Sequence, residues 1–142
     1  MRKIDSLVIH CSDSPWGDAA VIRDWHKQRG WRDIGYHAVI LNGFRWNSTG
    51  YQAVANGLIE PGRDHGTQGA HVKGHNRATL GVCLIGVDDF TPAQFDALWR
   101  IVGTWRALYG VPLSGVYGHR ELDSGKTCPN FDVQDWLTTR AG

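Results

Sequence analysis

Apolar residues fall along this chain in short blocks, and the spacing within each block predicts an element. Leu7-Val8-Ile9-His10-Cys11 is an apolar run bounded by Ser6 and by Ser12-Asp13-Ser14-Pro15, which marks a buried strand ending in polar residues. Residues 18–29 put Val21, Ile22 and Trp25 on one helical face, with Gly30 as the stop. Residues 36–41 form a second strand that closes at the turn pair Asn42-Gly43, and a turn-rich stretch covers 45–50. Residues 51–55 and 58–60 read as two further strands separated by Asn56-Gly57. A loop rich in Gly and His spans 61–76, and residues 80–85 are an apolar strand marked by Gly81 and Gly86.

Thr91-Pro92-Ala93-Gln94 opens a helix: Thr91 caps it, Pro92 fits the first turn and Gln94 completes a capping box. Phe95, Leu98, Val102, Trp105 and Tyr109 keep helical spacing until Gly110 and Pro112 end it. Val116-Tyr117 leads into Gly118-His119-Arg120-Glu121, and a last helix starts at Asp132 and buries Trp136 and Leu137. Strands alternating with helices in this order predict a single α/β domain over residues 1–142.

Composition narrows the class. A single folded chain of 15.8 kDa should expose roughly 7,300 Å². With 42% hydrophobic and 20% charged residues it is globular rather than disordered. A net charge of +1 argues against a nucleic-acid partner. No apolar run approaches ~18 residues, so membrane insertion is not expected. Asp5 and Ser6 interrupt the start of the chain and Leu7-Val8-Ile9 is too short for a signal core, so no secretory signal is visible.

Seven His and three scattered Cys, at 11, 83 and 128, are not a disulfide framework but do raise the prior for a metal. His10 ends an apolar strand, His119 follows a short apolar stretch, and Cys128 comes nine residues later. Imidazole and thiolate suit zinc, whose catalytic sites use three protein ligands. There is no CxxC knuckle and no HExxH helix, so spacing alone leaves a strand-end histidine and a small buried cysteine as the ordinary alternatives.

Motifs in series say more. Ile9-His10-Cys11-Ser12, Trp25-His26-Lys27-Gln28-Arg29-Gly30-Trp31, Ile34-Gly35-Tyr36-His37, Gly69-Ala70-His71-Val72-Lys73-Gly74-His75-Asn76, Gly81-Val82-Cys83-Leu84-Ile85-Gly86, Gly118-His119-Arg120-Glu121 and Lys126-Thr127-Cys128-Pro129 occur in this order. The chain resembles the type 2 N-acetylmuramoyl-L-alanine amidases from about Leu7 to Trp136. It is most similar to the small phage lysozyme-type zinc amidases and more distantly related to peptidoglycan recognition proteins. The resemblance implies a central mixed sheet flanked by helices, with a zinc cleft on one side. It implies one catalytic zinc ion held by His10, His119 and Cys128, with Tyr36 and Lys126 as catalytic residues. It implies hydrolysis of the amide between the lactyl group of N-acetylmuramic acid and L-alanine in peptidoglycan.

The remaining residues divide into wall and scaffold. His71 matches a family position lining the cleft, and Lys73 and Asn76 are expected to bind substrate with it. Arg63 and Arg77 could pair with acidic groups of a peptide stem. His26 sits near a helix C-terminus and His37 alternates away from Tyr36, so both read as structural; His65 and His75 read as loop surface. By the same alternation Cys11 faces away from His10 and Cys83 is core. Trp25, Trp99, Trp105 and Trp136 fall on helical faces, and Trp16, Trp31 and Trp46 in loops. Glu121 is a candidate base by position. The segment 44–56 is longer than a tight hairpin and could enlarge one rim of the cleft. The expected role is a monomeric phage or prophage endolysin, cytoplasmic in the producing cell until release, with peptidoglycan or muropeptide as its partner. The rivals are a peptidoglycan-binding module without catalysis and a cytosolic amidase that recycles soluble anhydro-muropeptides.

Overall fold

In the computed structural model, which describes residues 2–142, the chain runs β1 (Ser6–Cys11), α1 (Ala19–Gln28), β2 (Ala38–Asn42), β3 (Asn56–Pro61), β4 (Thr79–Leu84), α2 (Pro92–Tyr109), β5 (Val116–Gly118), α3 (His119–Leu122) and α4 (Val133–Ala141). The strands join in the order β3-β2-β4-β1-β5. Neighbours are parallel except β2 with β3, so the sheet is mixed, as expected. The exposed surface is 7386 Å², close to the value expected for one domain of this mass.

Strand alternation divides the core between the two faces. Leu7, Ile9, Leu80, Val82 and Leu84 lie in one apolar cluster with Leu98, Val102 and Trp105 of α2 and Leu137 of α4. Val39, Leu41, Cys83 and Ile85 lie in a second cluster with Ala19 and Ile22 of α1. His10 is opposite Cys83 in the ladder, and only 1% exposed.

Helix ends follow the sequence signals. Asp18 caps α1 through Val21 N, Thr91 and Gln94 form the capping box of α2, and Gly110 ends α2 in the left-handed conformation. Gln94 is also wholly buried and donates to the carbonyls of Ile40 and Ile85, which ties α2 to the ends of β2 and β4. No helix among the described residues is long and apolar enough to cross a membrane.

Three expectations need correction. Residues 51–55 hold no strand: only a 3-10 turn forms at Ala53–Ala55, and Asn56-Gly57 begins β3 instead of separating two strands. The second strand starts at Ala38, because the carbonyls of Gly35, Tyr36 and His37 accept from Ala70, Arg63 and Gly62 of the following loop. The segment 44–56 does not reach the cleft described below. It folds back on the loop before α1, where the Phe44 carbonyl accepts from Gly17 and Arg45 bridges Asp18 and Glu60, each at 2.9 Å.

Candidate metal centre

β1 and β5 are adjacent and parallel, with Ile9 opposite Gly118, so the residues that follow in each chain direction emerge together at the carboxyl edge of the sheet. His10 is next on β1 and His119 opens α3, and their Nδ1 atoms are 3.2 Å apart. Cys128 arrives from the loop after α3. Its carbonyl accepts from Arg120 N at 2.8 Å and its Sγ accepts from Cys11 N at 3.1 Å. The ligand atoms of His10, His119 and Cys128 all lie within 4.8 Å of one another. The sequence spacing between His119 and Cys128 could not show this convergence; strand adjacency produces it.

The donor set fits zinc. Bonds of about 2.0–2.1 Å around a tetrahedral ion would put two imidazole nitrogens roughly 3.3 Å apart, close to the observed separation. Burial, then the neighbouring His71 and His119, holds His10 well below its ordinary pKa, and burial lowers His119. Both are therefore neutral imidazoles at pH 7. The adjoining Cys11 thiol and burial push the Cys128 thiol up, so a thiolate there calls for a cation beside it. Two neutral imidazoles and a thiolate would leave a divalent ion with a formal charge of +1. Cys11 lies beside Cys128 but is not a member of the triad.

The triad opens into a cleft of roughly 800 Å³ lined by both charged and aromatic groups, within the usual range for a ligand site. Tyr36 is in its wall, 5.0 Å from His10 between ring centroids. Burial, then the nearby cysteines, raises its phenol well above the ordinary value, so Tyr36 keeps its proton and is a donor. Gly35 makes its placement possible: a Cβ there would come within 2.1 Å of the Ala70 carbonyl oxygen. Lys126 is exposed at the rim, with no side-chain partner among the described residues.

Of the expected substrate-binding residues, Lys73 is exposed on the cleft wall. The Asn76 Oδ1 accepts from both His71 N and Val72 N at 2.9 Å, which shapes the loop. His71 borders the cleft, yet its ring is engaged on both sides, by His10 Nε2 at 2.8 Å and Thr79 Oγ1 at 3.1 Å. A direct bond from substrate to that ring would have to displace one of them. Arg63 is committed to the carbonyls of Asp33, Ile34 and Gln68, and Arg77 lies in a separate cavity with His75 and Tyr117. Glu121 is turned away from the cleft and caps α3 through Gly118 N at 2.6 Å, with Gln134 on both oxygens.

Other histidines are scaffold for reasons the sequence did not display. His26 accepts from Gly35 N at 2.9 Å and is held down to about 4 by burial and then Arg29, so it is neutral, not a cation answering a helix dipole. His65 is not loose surface; its Nδ1 meets the Tyr109 hydroxyl at 2.6 Å and pins the loop to α2. Trp31, between His26 and Arg29, is a cleft residue, whereas Trp16 packs on Trp25. Asp13, Asp123 and Asn130 also line the cleft; only three-dimensional proximity to the triad marks them.

Comparison with known proteins agrees with this geometry. Residues 1–131 match the family described as N-acetylmuramoyl-L-alanine amidase. The chain is 37% identical to the endolysin of Enterobacteria phage K11, across 97% of this chain and 88% of that protein. Its fold is similar to that of the N-acetylmuramoyl-L-alanine amidase LysC from Clostridium intestinale URNW, with a TM-score of 0.82, 23% identity and coverage of 99% of this chain and 87% of the other. Drosophila PGRP-LB is similar at a TM-score of 0.69, with 24% identity over 91% of this chain and 76% of the other. The His-His-Cys triad, the cleft it opens into and a match over nearly the whole chain lead to one conclusion: the chain belongs to the N-acetylmuramoyl-L-alanine amidase family and is an amidase of the endolysin type.

Proposed function

We propose that residues 1–142 act as a single zinc amidase domain that cuts the bond between the lactyl carbonyl of N-acetylmuramic acid and the L-alanine nitrogen of the peptide stem. The observation that carries the reading is the convergence of the buried His10 with His119 and Cys128, the last two of which line the cleft. These three residues would hold one zinc ion. When bound, zinc supplies a Lewis acid for the amide carbonyl and an activated water at neutral pH.

The chain's own residues do the rest. Tyr36, with its phenol proton retained and its ring beside His10, donates to the carbonyl oxygen as negative charge develops there. Lys126, exposed on the lining of the same cleft, brings an ammonium to the same oxygen. Lys73, exposed on the cleft wall, is the cation for a stem carboxylate, while Asn76 and His71 fix the loop that carries it. In this reading the enzyme is a monomeric phage or prophage lysin, held in the cytoplasm of the producing cell and acting on the wall after release, with no need of nucleic acid or membrane insertion.

The test is to incubate the purified protein with intact sacculi and, in parallel, with soluble anhydro-muropeptides. The expected products are new L-alanine amino termini matched by muramyl lactyl carboxylates, faster from sacculi, lost on chelation and restored by zinc. Unchanged turnover after complete zinc removal would overturn the metal assignment. Tight muropeptide binding without cleavage would overturn the catalytic one, and cleavage confined to soluble fragments would overturn the lysin role.

A further inference from the structure

His10 is the most deeply buried of the three metal-ligating residues, and an imidazole can offer Nδ1 to a metal only when its hydrogen is on Nε2. Both nitrogens have neighbours. Nδ1 faces His119 at 3.2 Å, and Nε2 faces His71 Nδ1 at 2.8 Å. Beyond His71 the contacts continue: its Nε2 is 3.1 Å from Thr79 Oγ1, and that hydroxyl is 2.8 Å from the His75 carbonyl oxygen.

We propose that His71 and Thr79 are positioning residues that fix the tautomer of His10, so that its Nδ1 lone pair always faces the metal centre. This rests on the metal reading given above. The direction of the chain follows from its last link. A carbonyl oxygen only accepts, so the single hydroxyl hydrogen of Thr79 goes to His75 O. The Thr79 oxygen then has only lone pairs left for His71, whose Nε2 must carry the hydrogen. No carboxylate bonds to the His71 ring among the described residues, and a neutral ring has one hydrogen, so His71 Nδ1 accepts. The 2.8 Å contact then requires the hydrogen of His10 on Nε2.

The backbone is built around this arrangement. Thr79 and Gly81 are two apart on β4 and share a face of the sheet. The His71 ring lies over Gly81, where a Cβ would stand 2.6 Å from its Nδ1. Asn76 pins the His71 backbone from the other side of the loop. Thr79 is 5% exposed and His71 8%, so water cannot readily take over either contact. Metal-bound histidines commonly send their second N–H to a carboxylate, which adds negative charge to the site. Here the chain ends on a neutral carbonyl. It orients the ring without reducing the +1 charge of the metal centre, which suits a site that must polarise an amide.

Two measurements test this. In the metal-free, unaltered protein, ¹⁵N imidazole shifts should place hydrogen on Nε2 of both His10 and His71. Hydrogen on His10 Nδ1 would overturn the inference and leave the triad standing. Zinc affinity, read by chelator competition, should weaken about 10–100-fold in Thr79→Val, the loss expected for an outer hydrogen-bond partner of a ligand. Thr79→Ser, which restores the hydroxyl, should recover it. Thermal melting identifies variants that have simply lost their fold. Equal zinc affinity in the Val and Ser variants would also overturn the inference, whereas failure of the unaltered chain to take up zinc would overturn the metal reading itself.

Discussion

Two faces of one strand set the terms for the whole molecule. On β4, Leu80, Val82 and Leu84 enter the apolar layer beneath α2 and α4. On the same strand Thr79 and Gly81 meet His71, and Cys83 meets Tyr36. The first face is specified by volume and apolarity, which several side chains could supply. The second is specified one residue at a time, by a hydroxyl, by the absence of a Cβ, or by a thiol. The sheet thus separates a face given wholly to apolar packing from a face that combines a smaller apolar cluster under α1 with the chemistry.

The largest effects should separate the two faces cleanly. Cys128→Ser should lower peptidoglycan amidase kcat/KM by at least about 10³-fold, because a metal's Lewis acidity is worth several kcal/mol and 1.4 kcal/mol is tenfold. Its melting temperature should stay close to that of the unaltered chain when both are metal-free, since zinc stabilises only the chain that binds it. Leu84→Ala, on the other face, should cost about 2–5 kcal/mol of stability through cavity formation, with turnover per folded molecule within about twofold. Denaturant titration and activity at a temperature where both variants are folded read the two effects. Equal loss of activity in the two variants would mean the faces are not independent. Next in size is Tyr36→Phe, which removes a hydroxyl donor and should cost about 10²–10³ in kcat, with KM nearly unchanged.

This partition also explains what the sequence could and could not reveal. The apolar face was legible because Leu7-Val8-Ile9 and residues 80–85 are apolar runs of strand length, and because Thr91, Gln94 and Gly110 punctuate α2. The cleft face carried readable motifs, but its geometry depends on which strands are neighbours. Nothing between positions 10 and 119 states that β1 and β5 pair. Glu121 looked available because it is near His119 in sequence, yet helical geometry turns it back onto Gly118. His26 looked like a helix-end cation because the Gly35 N–H that it accepts comes from nine residues further on.

A smaller effect should appear on the cleft face alone when pH falls. Burial holds His26 and His37 at about 4, below the ordinary value of 6.5. Above that value both states are neutral and neither group affects stability. Below it the unfolded chain binds protons that the folded chain refuses. Stability should therefore fall between about pH 6.5 and pH 4, by about 1.4 kcal/mol per pH unit for each of the two groups. Urea titrations between pH 7 and pH 5, where few carboxylates titrate, can resolve this. His26→Gln should reduce the slope by about one proton's worth, and a slope identical to that of the unaltered chain would remove His26 from the account.

The smallest expected change concerns a region that belongs to neither face. Arg45 leaves the segment 44–56 to bridge Asp18, the cap of α1, and Glu60, which itself accepts from Ala19 N. Three charges and a helix start are therefore held together at the edge of the sheet, away from the cleft. Arg45 is 22% exposed at its side chain and Asp18 only 6%, so the pair is partly shielded from water. Arg45→Ala should cost about 1–2 kcal/mol, less than a buried charge pair and more than a free surface one. High salt should shrink the difference between the variant and the unaltered chain, because screening weakens the bridge that only one of them has. Turnover per folded molecule should stay within about twofold. A drop in kcat/KM at equal stability would show that the segment 44–56 acts on the cleft through α1, making the edge of the sheet a third functional region.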